Sequence, residues 1–343
     1  GDYLSKEEKL ERISSLASLA GISKSQGWQT LTPDAHGDWL KKRDSSFGGF
    51  ITLGDKKDPT ATVLFDNYSH GVITNRDAWC YNSSGTAVAE NMRHMISSYN
   101  SDVAKTIATY PALDKKSLAD VIESIINTDP TDISWTRSLK AELCKTSRIE
   151  FLPESLTQSM YRPFTKQWMY FNRKLNEMVY QIPKIFPGGG AANKVIYLNS
   201  PGTQRGFSVL ICNQVPDLHL LQTGQGFPLF LYDEAAQTSE DDLFAEQAES
   251  GLRRREAITD AGLAHFHTAY PGELISKEDL FYYVYGVLHS PDYRERFADN
   301  LSKELPRIPA VKKAADLWAF SKAGRTLADL HLNYETVEPY PLT

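Results

Sequence analysis

The sequence predicts an α+β fold with a helical N-terminal part, a central, mostly antiparallel β portion and a helical C-terminal part. Three observations carry this expectation. Apolar residues recur at helical spacing towards both ends of the 343-residue chain. Between them lie short apolar runs, "KVIYL", "GFSVLICN", "DLHLLQ" and "FPLFLY", separated by Pro, Gly and Asn turns. No long helix intervenes between these runs, which points to antiparallel pairing rather than βαβ units.

The first element is a helix over residues 5–20, with Leu10, Ile13, Leu16 and Ala20 on one stripe and Ser5 and Glu8 as its capping box. There is no initiator Met, so the chain is expected to be a piece of a longer polypeptide. A strand-like passage follows, "TATVLFDNYSHGVITNRDAWCYN", with a turn at His70-Gly71. Helices resume at about 86–108 and again after Asp114, where Leu118, Val121, Ile122 and Ile125 share a side. A third helix, roughly 134–145, puts Trp135, Leu139 and Leu143 on one side and Arg137, Lys140 and Cys144 roughly opposite. The β-rich centre covers about 151–236. From Ser239 the chain reads as helical to about 331, with Ser276 and Asp279 capping a helix that carries Leu280, Phe281, Val284 and Leu288. Pro306 and Pro309 interrupt it before a last helix through Leu317, Trp318 and Leu327.

Composition sets the class. Apolar residues make up 41% and charged residues 23%, a globular balance. No apolar run approaches the roughly 18 residues that a helical membrane span needs. Cys80, Cys144 and Cys212 form neither a CxxC pair nor a disulfide framework, so a reducing cytoplasm is expected.

Catalytic signatures are lacking. There is no GxxxxGK[ST] loop and no GxSxG elbow. Gly224 and Gly226 in "TGQGFP" read as a glycine turn, and Gly188–Gly190 as a flexible connection. His265 and His267 fall on a helix, where a spacing of two does not converge on a metal. Asp129-Pro130-Thr131-Asp132 lacks the second proline and the aromatic residue of a base-gripping [DN]PP[YF] loop. "PDYRER" at Pro291 has no following ExK to make a nuclease site. Neither a metal nor a catalytic residue is assigned.

The charge pattern is more informative. The net charge is −6, yet residues 131–210 hold eleven bases against five acids. The acids that follow, Asp233 to Glu249, reverse the sign. A basic middle with acidic flanks suits local binding of duplex DNA, and a solvated mixed-charge surface is the bland alternative. Lys and Arg serve phosphates, whereas Arg, Asn and Gln make bidentate contacts to base edges. The candidate DNA-binding residues are therefore Arg137, Lys140, Arg162, Lys166, Asn172, Arg173, Lys174, Gln204 and Arg205. Gln204 and Arg205 lie in the turn "NSPGTQRG" between two expected strands. Tyr161, Phe164, Trp168, Tyr170 and Phe171 read as core, because a duplex hides its base faces. Arg76 and Asp77 in "TNRDAW" read as a buried pair fixing a turn.

Several stretches resemble one family. "GVITNRDAWCYN", "DISWTRSLK", "YRPFTKQWMYFNRKLNEMVYQIP", "VPDLHLLQTGQGFPLFLY" and "DLFYYVYGVLHSPDYRERFADNLSKELPRIP" look like the C-terminal target-recognition region of Type ISP restriction-modification enzymes. The likeness runs in order from about Asp2 to Asn333, and the last stretch is its most specific part. The resemblance implies a parent polypeptide carrying an Mrr-like nuclease, a DEAD/DEAH-type motor, a coupler and an N6-adenine methyltransferase. Residues 1–50 would leave the methyltransferase domain, and 51–343 would form the DNA target-recognition domain, its helical C-terminal part over about 237–335. That domain would be a non-catalytic monomer that reads duplex DNA and presents adenine to the methyltransferase. S-adenosylmethionine, ATP and Mg²⁺ would belong to the parent's other domains. The alternatives are a scaffold docking onto motor or coupler through exposed apolar residues of the 277–289 helix, and a free-standing Mg-dependent nuclease.

Overall fold

Unbroken apolar runs set the centre of the molecule, because a strand buried on both faces needs apolar side chains on both. The computed structural model describes residues 4–15, 18, 30–203, 206–234, 252–339 and 341. The chain divides into two compact units, residues 1–43 and 44–343. In the first, helix α1 (Lys6–Ser14) starts with the expected capping box between Ser5 and Glu8. Its stripe is uncovered, with Leu10 and Ile13 at 53% and 64% exposure. Leu16 and Ala20 lie outside the described residues.

The larger unit is α+β. Strand β1 (Ile51–Thr52) pairs with β12 (Arg307–Ile308), joining the start of this unit to the segment before its last helix. β2 (Ser69–His70), β9 (Gly224–Pro228), β6 (Val195–Asn199) and β7 (Val209–Cys212) form an antiparallel sheet in that order. Every residue of β6 and β7 is buried. A second sheet runs β3 (Tyr81–Asn82), β5 (Thr165–Tyr170), β4 (Leu156–Arg162), β8 (Val215–Pro216). Here β8 lies parallel to β4, the one parallel strand pair among the described residues.

Helix α2 (Asp77–Cys80) precedes β3, and α3 (Gly85–Thr109) follows with Ser84 as its N-cap. α3 packs on β3, β4 and β5 and buries Val88, Met92, Met95, Tyr99 and Val103. α4 (Lys115–Val121) starts at Asp114 as expected, and α5 (Arg137–Leu143) is capped by Thr136. Cys144, read as opposite the core side of α5, is itself buried. It is the C-cap of α5, its amide still bonded to the Lys140 carbonyl at 3.1 Å.

"DLHLLQ" is not a strand but a turn, held by the amides of Leu220 and His219 bonding to Asp217. "TGQGFP" is the reverse case. Gly224 and Gly226 belong to β9, where side chains of β6 leave no room for a Cβ; one on Gly224 would stand 2.1 Å from the Tyr197 ring and one on Gly226 2.6 Å from Val195 Cγ1. Nor is Gly188–Gly190 loose: Gly189 is buried against Thr157, whose hydroxyl donates to its carbonyl at 2.9 Å. Within the stretch read as helical from Ser239, β11 (Leu252–Glu256) pairs with β10 (Phe230–Glu234).

After the short helix α6 (Ile182–Ile185), the C-terminal helices are α7 (Asp260–Ala269), α8 (Lys277–His289), α9 (Pro291–Arg296), α10 (Ala298–Leu301) and α11 (Ala314–Leu332). α8 has its expected capping box, but every residue from Leu280 to Leu288 is buried. The exposed apolar face that a docking scaffold would use is therefore absent from this helix. All three cysteines are buried free thiols. Among the described residues no helix is long and apolar enough to cross a membrane.

The end of α8 makes the molecule sensitive to acid. His289 packs edge-on against Tyr285 and His331, and its Nε2 is buried without a partner. Burial, with His331 and Arg294 nearby, pushes its pKa down to about 4, outweighing the pull of the helix C-terminus towards the charged form. The Tyr285 hydroxyl takes the Ile211 amide and sits 2.6 Å from Nδ1 of His331, an acceptor only while that imidazole is neutral. The folded pKa lies below the unfolded value, so the unfolded chain binds the proton first. The contribution of this histidine to stability is full above about pH 6.5 and is lost as the pH falls towards 4. Thermal melts should drop by a few degrees between pH 7 and pH 5, and His289→Gln should remove part of that drop. An unchanged pH slope in the variant would discard this account.

Candidate nucleic-acid interface

The parallel strand β8 leads to one wall of a cleft. By lying beside β4 it brings Asp217, the next residue, level with the end of that strand, where the Asp217 amide bonds to the Met160 carbonyl at 3.2 Å. The Asp217 carboxylate is buried and fully engaged. Oδ1 accepts the His219 amide at 2.8 Å and Nη1 of Arg162 at 2.8 Å, and Oδ2 accepts the Tyr81 hydroxyl at 3.2 Å. Burial pushes its pKa up, with the His219 amide and Arg162 opposing. Arg162 also donates from Nη1 to the Tyr161 carbonyl at 2.5 Å, and its guanidinium lies 3.8 Å over the Tyr161 ring.

Above this pair opens a cleft of about 910 Å³, lined by Arg162, the loop Asn199–Thr203, Ser208 and the turn His219–Thr223. Asn199 holds the loop from beneath, donating to Thr203 Oγ1 and the Gly206 carbonyl and accepting from the Ser208 amide. The Ser200 amide ties the loop to the turn through the Thr223 carbonyl at 2.8 Å. The described lining contains amides, hydroxyls, the His219 imidazole, one guanidinium and the apolar Leu220 and Leu221, but no carboxylate. Such a surface can face a polyanion without repulsion and offers hydrogen-bond groups to base edges.

The structure sorts the sequence candidates into two places. Arg162 and Lys166 lie at the turn end of the β4–β5 hairpin, and Asn172, Arg173 and Lys174 lie just past its other end. The hairpin separates them by about 20 Å at the usual strand rise. Arg137 and Lys140 are on α5, tied to the second group through Glu177, which accepts from Ser138. Most of these cations have carboxylates. Lys140 pairs with Glu123 at 2.5 Å, Lys166 with Glu335 at 2.6 Å and Lys174 with Glu142 at 3.3 Å. Glu123, Asp217 and Glu335 all come from outside residues 131–210, so the charge surplus of that window is partly cancelled in space. Asn172 accepts from the Lys174 amide at 2.9 Å and so shapes the turn. Arg173 is exposed with no ion pair among the described residues. Gln204 and Arg205 lie outside the described residues.

Two sequence readings need correction. Arg76 is buried, but not against Asp77. Its Nη2 donates to Thr136 Oγ1 at 2.6 Å, while Asp77 accepts from the Thr74 and Tyr161 hydroxyls. Arg76 joins Trp79, Trp135 and Lys140 in lining a smaller hollow of about 430 Å³. Phe164, read as core, is 43% exposed. Pro163 precedes it and its φ is 53°, a turn like type II, which points the ring outwards onto Tyr334 and His331.

Sequence reasoning missed the carboxylate-free lining, whose one signal was the polar turn "NSPGT" beside Arg205. It also misses Arg253, Arg254 and Arg255, consecutive and exposed on β11, because the stretch after Ser239 predicts helix. Arg255 pairs with Asp233 at 2.6 Å and Arg254 covers the Phe230 ring. Among the described residues no three His, Cys, Asp or Glu side chains are grouped to hold a metal ion.

Comparison with known proteins supplies the context for this geometry. A family model, the Type ISP C-terminal specificity domain, matches residues 63–343. No curated protein matches the chain. Among solved structures, the DrdV–DNA complex is 32% identical with a TM-score of 0.78, covering 99% of this chain and 31% of that one. A nuclease-deletion mutant of the Type ISP restriction-modification enzyme LlaGI, in complex with a DNA substrate mimic, is 32% identical at a TM-score of 0.77 and covers 99% and 28%. The ATP-dependent Type ISP restriction-modification enzyme LlaBIII, bound to DNA, is 32% identical at 0.79 and covers 99% and 20%. This chain thus spans under a third of the length of each.

Proposed function

The chain belongs to the family of Type ISP C-terminal specificity domains, and from that premise we propose that it recognises a target sequence in double-stranded DNA. The observation that carries the reading is the alignment of 99% of the chain, at 32% identity, with enzymes solved on DNA or a DNA mimic. The carboxylate-free cleft supports it from this molecule's own chemistry. The hairpin's length of about 20 Å is less than one duplex turn of about 34 Å, so one DNA segment can reach both groups of cations.

In the fuller form of this reading the domain works as a monomer beside methyltransferase and motor domains of the same polypeptide. It holds the site so that an adenine reaches the methyltransferase, and an unmodified site licenses ATP-driven translocation and cleavage. S-adenosylmethionine, ATP and Mg²⁺ would be bound by those neighbouring domains, and this domain would contribute no catalytic group.

Fluorescence anisotropy with duplex DNA tests the reading. Affinity should fall steeply as salt rises, since every phosphate contact releases counterions. Arg173, exposed and unpaired, should contribute more than the ion-paired Lys166 or Lys174. Arg173→Glu should weaken binding to all sequences alike and reduce the magnitude of the log–log salt slope by about 1. Failure of the wild-type protein to bind any duplex at low salt would overturn the proposal.

A further inference from the structure

Of the seven candidates among the described residues, Arg162 alone lines the cleft and has its guanidinium held there. Two residues, Asp217 and Tyr161, hold it by one nitrogen and one face. Asp217 and the Tyr161 carbonyl take Nη1, and the Tyr161 ring supports the plane from one side. Nε and Nη2 make no hydrogen bond among the described residues, and the side chain is 37% exposed at the cleft wall. These two nitrogens form the side-on edge of the guanidinium, two parallel donors that match a pair of adjacent acceptors.

We infer that Arg162 reads a guanine of the target through its Nε–Nη2 edge, with Asp217 and Tyr161 as positioning residues. The inference rests on the DNA-recognition reading and specifies one base of the site. In the major groove, guanine O6 and N7 are the pair of adjacent acceptors to which Arg bonds bidentately. A phosphate offers paired oxygens too, and charge decides between them. The Asp217 carboxylate offsets the charge on Arg162, so the long-range attraction that makes a phosphate contact worthwhile is weak. The directional donors remain. Set in place in advance, they give up little entropy on binding, and a base without the two acceptors leaves them desolvated and unpaired. Asp217 can hold this position because Tyr81 and the His219 amide fix its carboxylate from the protein side.

The test is selection of binding sites from a randomised duplex library by the full-length protein and by Arg162→Lys, Asp217→Asn and the double variant. Thermal melts establish that each is folded. Arg162→Lys keeps the charge and loses the side-on edge. It should reduce preference for guanine at one position by roughly 5- to 150-fold, and leave preference elsewhere and the salt slope unchanged. Asp217→Asn should relax the same position. The double variant should lose no more than Arg162→Lys alone, since both changes remove one interaction. Should Asp217→Asn fail to fold, Tyr161→Leu, which removes the supporting ring, takes its place with the same expected position. Equal loss of affinity on all sequences would assign Arg162 to phosphate and overturn the inference, as would an unchanged preference. A wild-type protein that binds DNA but selects no sequence would overturn the recognition reading as well, and is thereby distinguished.

Discussion

Gly324→Val should leave the C-terminal helices unable to close, with the chain largely unfolded at physiological temperature. The two longest C-terminal helices, α8 and α11, touch through their backbones at Gly286 and Gly324. A Cβ on Gly324 would stand 2.0 Å from the Tyr282 carbonyl oxygen and 2.9 Å from the Gly286 amide nitrogen. One on Gly286 would stand 2.3 Å from the Phe320 carbonyl oxygen. These obstacles are main chain within helices, so no rotamer change relieves them and the helices must separate. Separation would uncover Tyr282, Phe281 and the other buried residues of α8. Overpacking ordinarily costs about 1–3 kcal/mol, and a rigid backbone on both sides puts even Gly324→Ala at about 3 kcal/mol or more. Urea denaturation checks this, with Gly190→Ala as control. Gly190 has open space where its Cβ would be and an ordinary φ, so that variant should be near neutral. A Gly324→Ala protein as stable as the control would show that the helices are not in backbone contact.

The second large effect joins stability to reading. Gly71→Ala should cost about 1–3 kcal/mol and also loosen sequence discrimination. The new Cβ would stand 2.5 Å from the carbonyl carbon and oxygen of Asp217 and 2.7 Å from the Leu218 nitrogen. Val72 is already bonded on both sides of that residue, its amide to the Pro216 carbonyl and its carbonyl to the Leu218 amide, each at 2.9 Å. The clash can be relieved only by displacing the segment that carries Asp217. The carboxylate that holds Arg162 moves with it. A thermal melt measures the first effect and competition between specific and random duplexes the second. Loss of stability with discrimination intact would separate Gly71 from the cleft.

Much of the fold was legible because local patterns agreed with the final packing. The caps at Ser5, Asp114 and Ser276 satisfy helix amides from within a few residues, so tertiary context hardly alters them. "KVIYL" became the central strand β6 because an unbroken apolar run has few other places to go. Reading failed where a distant partner decides. "TGQGFP" reads as a turn by its glycines, and only pairing with β6, nearly thirty residues earlier, makes them strand residues. "DLHLLQ" looked like a strand by its leucines, and became a turn because Asp217 takes its amides. β11 is polar on both faces, so it carries no alternation from which to read a strand.

The candidate site divides in the same way. By itself the sequence determined the α+β class, the lack of a catalytic or metal motif, the family resemblance and the residue types suited to DNA. Each of these depends on composition or on neighbours along the chain. Only the tertiary structure decided which cations are already neutralised and which one is aimed. Electrostatic pairing acts over a few ångströms of space whatever the separation in sequence: Glu123, Asp217 and Glu335 reach Lys140, Arg162 and Lys166 from outside the basic stretch. A count of charges along the chain cannot register those partners, and it is the partner at Asp217 that turns Arg162 from one base among many into a fixed pair of donors.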